Sequence, residues 1–295
     1  MSTLRTICAA VVFFISLPGM AASGETRILH ESKSSYNTII VTEDPDGLRN
    51  MLFEKNGARQ SAIRPDDPGH LELAYSRVAL AGLALCDEPE SFLVFGLGGG
   101  AIPMFLKTHF PRAHIDVVDI DPAVIDAARQ YFGFREDRRM VAYAEDARAF
   151  AEKIGKSRYD VIFLDAFGRD TVPAHLTTVE FLQTVRAALK PGGVAVGNLW
   201  SRVHNRMYDA MVRTYQEAFA DLYILDSDQA SNRLLLALPR TEGISEYDLV
   251  SRAQALSHKA RFRFDVGRLV QGHFMHANVR DSTQHVLRDA DSAGR

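Results

Sequence analysis

The chain predicts an α/β protein, with a mostly parallel sheet covered on both faces by helices and a small antiparallel sheet in front of it. Three observations predict this. From Ser91 onward, short apolar runs alternate with amphipathic segments, the pattern of parallel strands joined by crossover helices. The run Ser91 to Phe95 breaks into Gly96, Gly98, Gly99 and Gly100, and a second run, Ile115 to Val118, ends in Asp119. Ahead of both, the stretch from Thr26 to Ile63 alternates in polarity and is punctuated by Asp44-Pro45-Asp46-Gly47 and Lys55-Asn56-Gly57, the composition of tight turns.

The first segment is of another kind. Met1 to Arg5 carries one positive charge, Thr6 to Leu17 is apolar, and Pro18 to Ser23 supplies a breaker followed by small residues. This is a secretory signal peptide in outline, shorter than the ~20 apolar residues of a membrane-spanning helix. Residues 1–23 are therefore expected to be removed, leaving an exported, periplasmic or secreted chain with no membrane attachment; the alternatives are an uncleaved anchor or a misassigned start codon, and if the segment is not a signal the chain is cytoplasmic. Cys8 would leave with the segment, so Cys86 remains alone and is expected to be a buried structural thiol.

Residues 24–67 read as the antiparallel sheet, with strands at Asn37–Thr42, Leu48–Glu54 and Ala58–Ile63. Residues 68–280 read as the main domain. It opens with a helix over Pro68–Leu85, and after the glycine turn the predicted strands are Val141–Ala144, Val161–Leu164, Val194–Leu199 and Leu234–Leu238. Helices are expected near Asp121–Tyr131, Ala147–Ile154, Thr178–Leu189 and Arg206–Ala220. Arg261 to Phe264 alternates like a final strand, and 281–295 reads as a loose polar end. The chain is 46% hydrophobic with a net charge of -3, enough to bury a full core and without the basic footprint of nucleic-acid binding.

Ligands of parallel sheets bind beyond the strands' carboxyl ends. Those ends carry Gly96 to Gly100, then Asp119 and Asp121, then Glu145 and Asp146, then Asp165, so each bears a glycine or an acid. Glycines let the backbone turn tightly and approach a ligand, and an acid ending the second strand can accept from both hydroxyls of a ribose. Asp146 can accept from an adenine amine. Asp165 follows an apolar run, and desolvation would raise its proton affinity and make it a better base. The pattern describes a nucleoside site for either a dinucleotide or a sulfonium cofactor; the last glycine of the dinucleotide fingerprint is replaced by Ala101, and Pro103 sits in the first helical turn.

The segment YDVIFLDAFGRDTVPAHLTTVEFLQTVRAALKPGGVAVGNLW resembles the spermidine synthases, polyamine aminopropyltransferases on a Rossmann-like class I methyltransferase fold, and is most similar to their divergent spermidine synthase-like branch. The resemblance spans roughly Glu31 to Phe219. It implies that Asp119 binds the ribose, that Asp146 and Ala147 bind the adenine, and that Asp165 is the proton acceptor. It also places Tyr36 or Asn37, within ESKSSYNTIIV, in a segment closing over the nucleoside, and matches Gly57 and Gln60 to a D-G-x-x-Q motif. The implied co-substrate is decarboxylated S-adenosylmethionine, the implied acceptor a polyamine such as putrescine, and the implied assembly a homodimer through the amino-terminal sheet.

Departures from the family pattern fall on the amine contacts. The family's G-G-G-D-G-G loop has Gly99 in place of its acid, its D-x-x-D reads Asp165 and Gly168, and its Tyr-His pair reads Tyr75 and Ser76. Glu72 and Asp170 are candidates to replace the missing acids, and His70 and His175 are further candidates. No pair of histidines has metal-ligand spacing, so no metal is expected. Two alternatives stay open: a methyltransferase using intact S-adenosylmethionine, which the missing loop acid permits, and a non-catalytic periplasmic protein binding a polyamine or nucleoside.

Overall fold

The structure, a computed structural model, describes residues 24–168, 171–227 and 231–292. The expected signal peptide and Asp170 lie outside the described residues. The chain opens with β1 (Arg27–Lys33), β2 (Thr38–Glu43), β3 (Arg49–Leu52) and β4 (Arg59–Ile63), a four-stranded meander in that order with every pair antiparallel. Ile39, Val41, Met51 and Ile63 turn inward and join the main core, so this sheet forms one wall of the molecule rather than a separate body.

Helix α1 (Ala74–Ala79) is shorter than the helix expected over Pro68–Leu85, and the chain from Leu80 to Leu85 winds as a 3-10 turn. Leu80, Ala81, Gly82, Leu83 and Leu85 are buried in that turn, and Ala84 partly so. Gly82 lies so close to β9 that a Cβ would stand 2.4 Å from a Val196 methyl.

The alternating part then runs β5 (Ser91–Phe95), α2 (Ala101–His109), β6 (His114–Asp119), α3 (Pro122–Tyr131), β7 (Met140–Ala144), α4 (Ala147–Lys153), β8 (Tyr159–Leu164), α5 (Val179–Ala188), β9 (Leu189–Trp200) and α6 (Tyr208–Ala218). It closes with β10 (Asp221–Asp226), β11 (Asn232–Leu238), α7 (Glu246–Lys259), α8 (Val266–Val270), β12 (Phe274–His276) and α9 (Asp289–Ser292). The strands form one sheet in the order β12-β10-β11-β9-β8-β5-β6-β7. Strands β5 to β9 pair in parallel; β9 with β11, β10 with β11 and β10 with β12 pair antiparallel. This is the Rossmann-like, class I methyltransferase arrangement expected from the sequence.

Period-two alternation divides the core between the two faces: Phe92 and Val94 of β5 bury on one side, Leu93 and Phe95 on the other. The chain leaves β5 outward through β6 and β7, then crosses back to β8 on its other side. That reversal is a topological switch point, where α/β sheets bind ligands.

The carboxy-terminal part differs from expectation twice. Arg261 to Phe264 is not a strand: Arg261 adopts φ 55 and ends α7 with Phe262 N–H donating to the Ser257 carbonyl and Arg261 N–H to that of His258, a left-handed helix stop. The alternation there reflects Phe262 and Phe264 packing on Phe105, with ring centroids 5.0 and 5.9 Å away. The segment from 281 is docked rather than loose. Leu287 is buried, its carbonyl accepts from Val179 N–H at 2.8 Å, and the Asp289 carboxylate pairs with Arg148.

Candidate active site

A cavity of about 810 Å³ opens at the carboxyl ends of β5, β6 and β8. Gly96 and Gly98 form its floor, at φ 95 and 52, and no larger residue fits the first: a Cβ on Gly96 would stand 2.3 Å from the Asp165 carbonyl oxygen. Gly100, expected to touch the cofactor, instead caps α2 behind the loop, where a Cβ would meet the Phe134 ring. Gly99 also faces away from the cavity, toward Ile63 and Phe132.

Asp119 ends β6 at the cavity wall and braces the loop. One carboxylate oxygen accepts from Leu97 N–H at 2.9 Å, the other from Asp121 N–H at 3.0 Å. Burial pushes its carboxyl up to about 6 against the pull of those backbone donors. Asp121 is itself buried and caps α3 through Ala123 N–H, while Ser34, in the loop after β1, donates to its other oxygen. That bond ties the amino-terminal sheet to the loop at the end of β6.

Asp146 does two jobs. Its Oδ1 accepts from the N–H groups of Arg148 and Ala149, both at 3.0 Å, capping α4, and its Oδ2 accepts from His175 Nε2 at 2.7 Å. Burial opposes ionisation, but Ala149 N–H and His175 outweigh it and hold the carboxyl below its usual range. Ala147, Gln60 and Tyr36 line the same cavity, Tyr36 at the mouth with 51% of its surface exposed.

Asp165 stands at the end of β8 between two donors. Asn198 Nδ2, from β9, donates to Oδ1 at 2.7 Å, and the Tyr75 hydroxyl, from α1, donates to Oδ2 at 3.0 Å. Burial pushes the Asp165 carboxyl up to about 6 despite both. Burial and the facing carboxylate raise the Tyr75 phenol far above its ordinary value, so it stays a donor at any working pH. Asn198 is in turn held by Asn232, whose Nδ2 donates to Asn198 Oδ1 at 2.8 Å. The carboxylate is thus fixed in orientation and poised to take up a proton near neutral pH.

Of the residues proposed to replace the missing acids, Glu72 does not reach the cavity. It accepts from His70 Nε2 at 2.6 Å outside the lining, which removes both from the site. Sequence reasoning missed Asn198, Asn232, Phe167, Trp200 and His204, all of which line the cavity. One signal was available for Asn198: a lone amide in the apolar run VAVGNLW, at the carboxyl end of a buried strand, needs a partner. The described lining residues fit a nucleoside, with bare glycine backbone, an acid at the second strand's end and an acid at a helix N-terminus. Among the described residues no three His, Cys, Asp or Glu side chains converge as metal ligands, and no helix is long and apolar enough to cross a membrane.

Comparison with known proteins places the chain among relatives of one family and fold. The spermine/spermidine synthase domain family matches residues 72–225. A polyamine aminopropyltransferase of Vibrio vulnificus is 35% identical over 239 residues, 79% of each chain. The human eEF1A lysine and N-terminal methyltransferase is 32% identical over 214 residues, 66% of this chain but 30% of that protein. Among solved structures, a probable spermidine synthase from Corynebacterium glutamicum shares the fold with a TM-score of 0.66 at 23% identity, covering 79% of this chain and 87% of that one. With the family match spanning half of the chain and the Vibrio relative four-fifths of it, the chain belongs to the spermine/spermidine synthase domain family.

Proposed function

We propose that the protein transfers the aminopropyl group of decarboxylated S-adenosylmethionine to a primary amine and releases methylthioadenosine. The observation that carries this reading is Asp165, a carboxylate clamped by Tyr75 and Asn198 beside the nucleoside floor. An amine enters as its ammonium ion and must lose a proton before it can attack. Asp165 attracts the cation, accepts that proton and leaves the nitrogen lone pair free. The lone pair forms the new N–C bond at the propyl carbon, the C–S bond breaks, and its electron pair neutralises the sulfonium. Asp119 and Asp146 hold the ribose and adenine, and alignment over the rigid loop supplies much of the acceleration.

Conversion of Asp165→Asn tests the assignment: turnover is lost while calorimetric binding of methylthioadenosine survives. Unchanged turnover in that variant refutes the role. A methyltransferase is the second reading, favoured by Gly99 in place of the family's loop acid and by the eEF1A methyltransferase relative. It predicts tighter binding of S-adenosylhomocysteine than of methylthioadenosine, the reverse of the first. Export through residues 1–23 is a separate proposal, tested by fusing the first 25 residues to a reporter active only outside the cytoplasm.

A further inference from the structure

Three carboxylates line the cavity among the described residues, Asp119, Asp146 and Asp165. The first two stand at the ends of β6 and β7, on the nucleoside side, which leaves Asp165 to serve the acceptor. Beyond Asp165 the wall is aromatic. Phe167 follows it by two residues, and Trp200 follows Asn198 by two on β9, so period two sets the indole on the same face of the strand as the amide that holds Asp165. The two rings stack with centroids 5.9 Å apart and planes 28° from parallel. His204 continues the wall, and β11 backs it, with Asn232 paired to Trp200 across the sheet.

A diamine brings a second ammonium several carbons from the attacking nitrogen, and a buried cation needs a counter-charge or hydrogen-bond acceptors to replace water. The wall at that place offers the Phe167 and Trp200 rings beside His204, Ser231 and Asn232, and no carboxylate among the described residues; ring faces attract a cation but supply no counter-charge. An apolar, flat group loses nothing by leaving water there and gains offset stacking.

We propose that the acceptor is a primary monoamine carrying an aromatic remote end, an arylalkylamine, with its nitrogen at Asp165 and its ring on the Phe167–Trp200 face. This rests on the aminopropyl-transfer reading. In the transfer, the ammonium proton passes to Asp165, the amine nitrogen bonds to the propyl carbon as the C–S bond breaks, and methylthioadenosine leaves uncharged.

Two readouts test it. Methylthioadenosine release is followed with decarboxylated S-adenosylmethionine and either phenethylamine or putrescine. The expected kcat/KM is about tenfold or more higher for phenethylamine, the size of effect that one good aromatic contact contributes. Trp200→Ala then narrows that preference. Equal use of the two amines, or preference for putrescine, overturns the acceptor assignment and leaves aminopropyl transfer standing. Trp200 is the sole tryptophan of the sequence, so its emission reports the subsite without any turnover. With methylthioadenosine present, phenethylamine is expected to change that emission saturably and putrescine is not. Absence of product with every amine refutes aminopropyl transfer, and the fluorescence titration then decides the subsite alone: no response to phenethylamine overturns it.

Discussion

Replacing Asn198 tests whether Asp165 acts as a base tuned by its neighbours. Asn198 is 5% exposed, and its Nδ2 lies 2.7 Å from Asp165 Oδ1, the stronger of the two donors holding that carboxylate. A hydrogen bond to a charged group contributes roughly 1.5–3 kcal/mol, and one pKa unit corresponds to about 1.4 kcal/mol. Asn198→Leu keeps the branched shape and withdraws that donor from the ionised carboxylate. The Asp165 carboxyl, now at about 6, should rise by about one to two units. The assay is the pH profile of kcat/KM, which reports groups of the free enzyme. Its acid limb should move upward by that amount, with activity recovered once the pH passes the new value. Tyr75→Phe should move it the same way by less. An acid limb that stays near 6 while the plateau falls would refute the tuning and reduce Asn198 to a packing role.

Other expectations follow from the same geometry. The folded Asp165 carboxyl lies near 6 against 3.8 unfolded, so the native state favours the protonated form; its ionised form costs at most about 3 kcal/mol above pH 6 and nothing below pH 3.8. Asp165→Asn should therefore melt higher than the parent at pH 8 and match it near pH 4, by calorimetry. Asp146→Ala should lose about 1 kcal/mol of stability along with nucleoside affinity, while Asp146→Ser, which can still cap α4, should lose affinity alone. Gly99→Asp should not restore the family's loop acid: its Cβ would meet Ile63 at 2.8 Å and Phe132 at 2.9 Å, so the variant should lose about 1–3 kcal/mol in urea unfolding without gaining affinity for decarboxylated S-adenosylmethionine.

The glycine-and-acid rim of the cavity was legible because each contributing residue ends its own strand. Gly96, Asp119, Asp146 and Asp165 are all marked by an apolar run stopping at a glycine or an acid, a signal local in sequence. The surroundings of Asp165 depend on pairing across the sheet. Asn232 meets Asn198, and Tyr75 meets Asp165 from 90 residues away, through contacts that no local pattern announces. Gly99 and Gly100 looked like cavity residues because they belong to the glycine run, yet the αL turn at Gly100 points both toward Ile63, Phe132 and Phe134. Arg261 misled in the opposite sense: a left-handed helix stop followed by two packed phenylalanines carries the alternation of a strand. The strand β10 was hidden because its neighbours bury it on both faces.

The floor and the base are one mechanical unit, and Gly96 is where that can be measured. Asp165 N–H donates to the Phe95 carbonyl at 2.9 Å, and the next residue, Gly96, lies against the Asp165 carbonyl with no space for a Cβ. Gly96→Ala forces φ 95 on a residue that resists it, at about 1–2 kcal/mol, and drives a methyl to within 2.3 Å of that oxygen. Neither strand end can yield alone, because β5 and β8 are hydrogen-bonded neighbours in the centre of the sheet. The strain must spread to both the glycine floor and the carboxylate, and a displacement of about 1 Å at a reacting group can cost about 100-fold in rate. Binding of methylthioadenosine and kcat should therefore fall together in this variant. If affinity collapses while kcat at saturating nucleoside is retained, the floor and the base move independently, and the orientation of Asp165 has to be credited to Asn198 and Tyr75 alone.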